Sequence, residues 1–173
     1  MIVIEDLLFA SDLRRHDGSP EMDPLTEADA LQEAQLLDLR FDALRSSVGL
    51  IFELRTALQL REANTGLLVA HGVREIAWSA NIRSTDRAAW NVMRSTPHCE
   101  DRLFTLNIVM SPQARLTLVA QSAGFYVLDV PGLDDAPPDY GADDETVRSR
   151  LAGWHSTFTP VQAVFLDPAP SDD

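Results

Sequence analysis

Lysine is missing from this chain of 173 residues: all 14 cationic side chains are arginine, set against 27 carboxylates, for a formal net charge of -13. Such a surplus of negative charge disfavours a protein whose main task is to hold nucleic acid or an anionic membrane, since both are polyanions. A basic protein partner is the natural complement, although charge of one sign also serves solubility alone. The arginine-only usage fits the codon bias of a GC-rich genome. It also supplies planar forks suited to fixed carboxylate pairing, where lysine would be a mobile point charge. Cysteine is nearly absent, and with Cys99 alone the chain has no intrachain disulfide and no multi-cysteine metal site, as expected of a reducing compartment. No apolar run approaches the ~20 residues that cross a bilayer, and Met1-Ile2-Val3-Ile4-Glu5-Asp6 lacks the basic start of a secretory signal. The expectation is a soluble, cytoplasmic protein. Catalytic signatures are missing as well: there is no phosphate-cradling G-x-x-x-x-G-K-[ST], no G-x-G-x-x-G, no G-x-S-x-G and no H-E-x-x-H. The histidines His16, His71, His98 and His155 are scattered, none paired at i, i+4.

What is present is alternation. At 45% hydrophobic and 24% charged residues the composition is that of one globular domain. It divides into a peripheral N-terminal segment (1–35), a sheet core (36–130) and an acidic loop, short helix and last strand (131–173). Leu37, Leu39, Phe41 and Ala43 alternate with Leu36, Asp38, Arg40 and Asp42, the pattern of a strand with one buried face. After a turn near Arg45-Ser46-Ser47, a second alternation runs through Val48, Leu50, Phe52, Leu54, Thr56 and Leu58, with Glu53 and Arg55 on the other side. Leu67 to Trp78 reads as a third strand whose phase slips. Leu67, Val69 and Val73 share one parity and Ile76 and Trp78 the other, so a β-bulge near Gly72 to Glu75 would return both halves to one core.

Three segments read as helices. Thr26 caps a candidate with Leu25, Ala28, Leu31 and Ala34 on one side. Ser84 or Thr85 caps another with Ala89, Trp90 and Met93, ended by Pro97. Asp144 caps a third that runs to Ala152, where Val147 and Leu151 pair at i, i+4 and Gly153 terminates. A hairpin is expected from Phe104 to Ala120 around Ser111-Pro112-Gln113-Ala114, then a turn at Ser122-Ala123-Gly124, a strand Phe125 to Val130 and a last strand Val161 to Leu166. The fold class is α+β, predominantly an antiparallel meander or curved sheet with two or three short peripheral helices, and Trp78, Trp90 and Trp154 belong to the core or its margin.

The strongest local feature is charge. Asp129 to Asp173 holds ten acidic residues against Arg148 and Arg150, a net of -8 of the total -13. Asp134, Asp135, Asp139, Tyr140, Asp143, Asp144 and Glu145 form the candidate partner-binding set, in which carboxylates steer a basic surface and an aromatic anchors it. The alternative is a solvated loop with helix-capping charges. The cluster Pro97-His98-Cys99-Glu100-Asp101 reads as a strand lead-in, because adjacent residues of an extended segment point to opposite sides and His98 is badly placed to deprotonate Cys99. His71 reads as a packed histidine at the bulge and His155 as structural. Calcium is disfavoured because the Asp-x-Asp-x-Asp-Gly spacing is missing.

Leu37-Asp38-Leu39-Arg40-Phe41, Gly49-Leu50-Ile51-Phe52-Glu53-Leu54, His71-Gly72-Val73-Arg74-Glu75-Ile76 and Arg115-Leu116-Thr117-Leu118 together resemble the small acidic immunity proteins of bacterial polymorphic-toxin systems. The likeness spans Leu36 to Val130, rests on strand phrasing, carries over no functional residue and leaves the acidic tail outside. It implies non-enzymatic neutralisation of a cognate toxin by surface complementarity. The resulting expectation is a protein-binding module that is not an enzyme, with no catalytic, cofactor-binding or metal residues and a basic partner. The oligomeric state is left open. The competing readings are a small enzyme or ligand-binding domain with a site assembled from dispersed Asp, Arg and His, and a structural component of a larger assembly.

Overall fold

The computed structural model describes residues 1–9, 18–81 and 87–168. Seven strands carry the described residues: β1 (Gln35–Asp42), β2 (Ser47–Glu53), β3 (Thr65–Ala80), β4 (Trp90–Glu100), β5 (Leu103–Ser111), β6 (Ala114–Asp129) and β7 (Thr159–Leu166). Every pairing is antiparallel. Among the described residues helix is scarce, limited to a 3-10 turn over Ile4–Leu8 and the six-residue α1 (Asp144–Ser149).

The chain is therefore mostly antiparallel β; among the described residues there is no helix around Thr26, and the described part of the segment expected as a helix from Ser84 is not helical. In the first segment Asp29 (φ 62°) and Glu33 (φ 64°) adopt left-handed backbone, which a right-handed helix excludes. Its hydrogen bonds go to β4 instead: the Asp29 and Glu33 amides donate to Ser95 O and Val92 O at 2.8 and 2.9 Å. In the second segment residues 82–86, which include the Ser84 and Thr85 caps, lie outside the described residues. From Trp90 onward the chain is strand. A register shift between Val92 and Arg94 leaves Met93 as an extra residue. Half-buried Trp90 and buried Val92 and Ser95 then follow one another at spacings of two and three, which imitates helical periodicity. The third helix forms but is shorter than expected, ending at Ser149, with Asp143 rather than Asp144 as its cap.

β1-β2-β3 and β4-β5-β6 are two meanders. β3 also pairs with β6, and β1 meets β4 at Gln35↔Asn91 and Leu36↔Trp90, so six strands form a ring to which β7 adds along β6. β3 and β6 each run 16 residues because each serves both halves, turning the corner between them. The bulge expected near Gly72 lies between Val73 and Glu75, with Arg74 as the inserted residue. Gly72 itself has φ +62°, and the Gln121 side chain occupies the space a Cβ would need. β6 passes through Ser122-Ala123-Gly124 without the expected turn. Those small residues relieve packing: a Cβ on Gly124 would lie 2.8 Å from the Phe165 ring.

Two apolar clusters result. Leu36, Val48, Leu50, Phe52, Leu68, Ala70, Leu106, Leu118 and Phe125 fill the inside of the ring. Ile51, Leu67, Val69, Tyr126 and Leu128 face outward and are covered by Ile4, Leu7, Leu8, Val130 and Trp154. Leu67 and Val69 thus do not share a core with Ile76, as the bulge argument had supposed. The first half of β3 is buried on both faces, so its two parities serve two clusters. All of β2 is buried for the same reason, which makes it a continuous run and not a half-wet alternation. β1 departs from its expected face too: a bulge between Leu36 and Asp38 sends Leu36 and Leu39 to the inner cluster and Leu37 to the outer one, while Phe41 stands 47% exposed. Trp154 is buried and Trp90 half-buried, but Trp78 is 45% exposed and leans edge-on to Trp90 with ring centroids 5.4 Å apart.

Candidate protein-binding face at the acidic loop

Pro131, Pro137 and Pro138 deprive the segment between β6 and α1 of regular ladder bonding, so its backbone carbonyls need other donors. Arginine supplies them. Arg55, just past the end of β2, donates from Nη1 to Asp134 O (2.8 Å) and Ala136 O (3.0 Å) and from Nη2 to Arg150 O (2.8 Å). Its Nε and Nη2 donate to Glu53 Oε1 and Oε2 at 2.7 and 2.6 Å. All five guanidinium N–H groups are thereby engaged, a task no ammonium could perform. The pair is almost wholly enclosed, with side chains 6% and 1% exposed.

Three further fasteners hold the segment. The Asn64 amide donates to Val130 O at 2.9 Å while its Oδ1 accepts from the Val130 amide at 3.0 Å. Arg87 donates to Tyr140 O and Ala142 O at 3.3 and 2.7 Å and pairs with Asp144 at 3.2 Å. The Tyr140 hydroxyl donates to Gln35 Oε1 at 2.5 Å, and Gln35 passes the chain on to Asn91 at 3.1 Å. Burial, and then the Glu53 charge, push the Tyr140 phenol up to about 12, with Arg55 acting in the opposite direction.

The seven expected partner-binding residues therefore divide by role. Asp143 caps α1 by accepting from the Thr146 amide at 2.9 Å, and Asp144 is held between Arg148 (2.9 Å) and Arg87. Hydrogen bonds from Thr146 and from Arg148 hold these two carboxyls below the usual aspartate range. Asp139 is exposed and accepts from the Gly141 amide at 2.9 Å, and Tyr140 is half-buried with its hydroxyl turned inward. Asp134, Asp135 and Glu145 are exposed, and among the described residues their side chains make no hydrogen bond or ion pair. The segment thus presents carboxylates to solvent on a backbone tied down from beneath. Glu53, Arg55, Asn64, Arg87 and Gln35 do the tying, and none was singled out for it from sequence. The available signal was the pair Glu53 and Arg55, two apart at a strand end and so on one side of it.

His71, His98 and His155 are all exposed, so His71 is not the packed histidine expected at the bulge. His98 Nε2 lies 3.2 Å from Glu100 Oε2, two residues on along β4, and not against Cys99, whose thiol burial pushes up. His71 Nδ1 meets the buried Ser47 hydroxyl across the β2–β3 ladder at 2.9 Å. His155 stands 3.7 Å from Glu5. Among the described residues no group of three or more His, Cys, Asp or Glu is arranged to hold a metal ion. No helix there is long and apolar enough to cross a membrane.

No family model and no curated protein matches the chain. One solved structure, an uncharacterized protein from Neisseria gonorrhoeae, is similar over 54% of this chain and 90% of that chain, with 10% sequence identity and a TM-score of 0.43.

Proposed function

We propose that this chain is a non-enzymatic, acidic protein-binding module that presents the 134–145 carboxylates to a basic partner, and that its finer role is the neutralisation of a cognate toxin. The observation that carries the reading is the enclosed Arg55–Glu53 pair, whose three bonds to the carbonyls of Asp134, Ala136 and Arg150 fix the backbone that bears those carboxylates. Pre-ordering a loop removes the entropy a partner would otherwise have to cover on binding. Net charge of -13 then favours fast, salt-sensitive association with a basic surface.

The test is biolayer interferometry of the purified chain against the products of neighbouring genes, from low to high salt. A partner whose association rate falls steeply with salt is expected. The quadruple variant Asp134→Asn, Asp135→Asn, Asp139→Asn, Glu145→Gln should slow association with little change in the folded spectrum. Salt-insensitive binding, or no binding to any of these products, would count against the proposal.

A further inference from the structure

The strand edges of this molecule are not treated alike. Soluble proteins blunt exposed edges with proline and charge, because a free row of N–H and C=O groups is a template for another strand. Here β4 carries Pro97 towards its end, β7 carries Pro160, and the half of β1 beyond its short pairing with β4 carries Asp38, Arg40 and Asp42. β3 is different. It pairs with β6 along its whole length but with β2 only as far as His71, and Val73 closes onto Ser46 O. From Arg74 to Ala80 its second side has no partner strand among the described residues. After Arg74 and Glu75 that stretch reads Ile76-Ala77-Trp78-Ser79-Ala80, uncharged and without proline.

We infer that this edge pairs with the same edge of a second copy of the chain, forming a two-fold dimer with one sheet running continuously from β4 of one protomer to β4 of its partner. The argument is self-complementarity. An isologous contact requires a segment that matches itself when reversed. Centred on Ala77, antiparallel pairing sets Ile76 opposite Trp78 twice, Glu75 opposite Ser79 twice, and Ala77 opposite itself. Each Ile–Trp pair is of the aromatic and β-branched kind that stabilises adjacent strands, and no like charges face one another. Glu75 to Ser79 spans about 16 Å at strand rise, an ordinary length for a strand pair. The contact also accounts for Trp78. It shares a side with Ile76, which packs on the inner cluster, yet stands 45% exposed where the sheet runs past that core. The partner's Ile76 would cover it.

Sedimentation velocity of the full chain from micromolar to millimolar concentration tests this at low and high salt. A monomer–dimer equilibrium is expected, shifting towards dimer as salt screens the repulsion between two acidic protomers. Ala77 is exposed, so Ala77→Lys should leave the circular dichroism spectrum unchanged while placing two cations face to face and weakening the dimer about tenfold or more. In a Cys99→Ser background, which removes the one exposed native thiol, Ala77→Cys should form an interprotomer disulfide under mild oxidation. Opposed strand residues lie about 4.5–5.5 Å apart at Cα, within disulfide reach. Asn107→Cys, on the exposed side of β5, should not cross-link. A monomer at every concentration and salt, or a dimer that Ala77→Lys leaves intact, overturns the inference.

Discussion

Arg55 and Glu53, two residues apart in sequence, meet through two parallel bonds of 2.7 and 2.6 Å beneath the acidic loop, and the same guanidinium reaches three carbonyls of the segment 134–150. One arginine therefore both neutralises a buried carboxylate at the end of β2 and replaces the ladder partners that a proline-rich loop cannot find. The architecture of the face depends on that side chain more than on any of the aspartates it displays.

Removing either partner should be costly, because an enclosed charge is left uncompensated. Arg55→Ala should lose about 3–5 kcal/mol in urea denaturation, and Glu53→Gln less, since its arginine keeps three carbonyl acceptors. Arg55→Lys should retain the charge and still raise amide exchange across 133–150, because one ammonium cannot serve five acceptors in fixed directions. Exchange in that segment no faster than in the parent would show that the loop holds itself.

Alkaline titration offers a second check. The Tyr140 phenol is pushed up to about 12 by burial and by the Glu53 charge, so its folded value lies above the unfolded value near 10. The folded state then keeps the proton longer than the unfolded one. This contribution to stability is whole below pH 10 and is lost as pH rises through about 12. No lysine titrates in that window. The difference spectrum between the parent and Tyr140→Phe should show phenolate absorbance appearing well above pH 10, and the phenylalanine variant should lose part of the alkaline sensitivity. A Tyr140 transition near 10 contradicts the enclosed hydroxyl.

At the acid end the sign reverses. Hydrogen bonds from Thr146 hold the Asp143 carboxyl below the ordinary 3.8, and Arg148 does the same for Asp144. With folded values depressed, their contribution is present above 3.8 and is lost as pH falls through the depressed folded values. Protection of the Thr146 amide should therefore survive to about pH 4 and fail below it, whereas Asp143→Asn should keep a cap without that pH dependence. Loss of protection already between pH 5 and 6 would contradict this.

Gly72 tests the corner of the ring. Its φ of +62° disfavours any side chain, and a Cβ would collide with Gln121. Gly72→Ala should cost about 1–3 kcal/mol in chemical denaturation. Adding Gln121→Ala should recover only the collision. Gly132 also has positive φ but no atom within 4 Å of its Cβ position, so Gly132→Ala isolates the backbone strain and should cost less. Equal losses at 72 and 132 would show that Gln121 yields freely.

Much of the sheet was legible. The β1–β2 hairpin, the hairpin around Pro112, the bulge beside Gly72, the irregular acidic loop and the last strand all stand where alternation and turn chemistry placed them. Of the candidate face, the exposed carboxylates were legible, because composition marks a charge run. Their clamps were not, because Arg55 and Asp134 lie 79 residues apart and nothing local joins them.

Local pattern decided that this chain is pleated, acidic at its C-terminal quarter and without the common catalytic motifs, since period-two burial and unpaired charge are properties of neighbouring residues. Tertiary structure alone decided which face of each strand is inside. β2 and the first half of β3 are covered on both sides, and distant backbone at 29–34 bonds to β4, which is a bulged strand where the spacing predicts a helix. A side chain's parity records where it points, but what it meets there is set by segments whose approach no local spacing encodes.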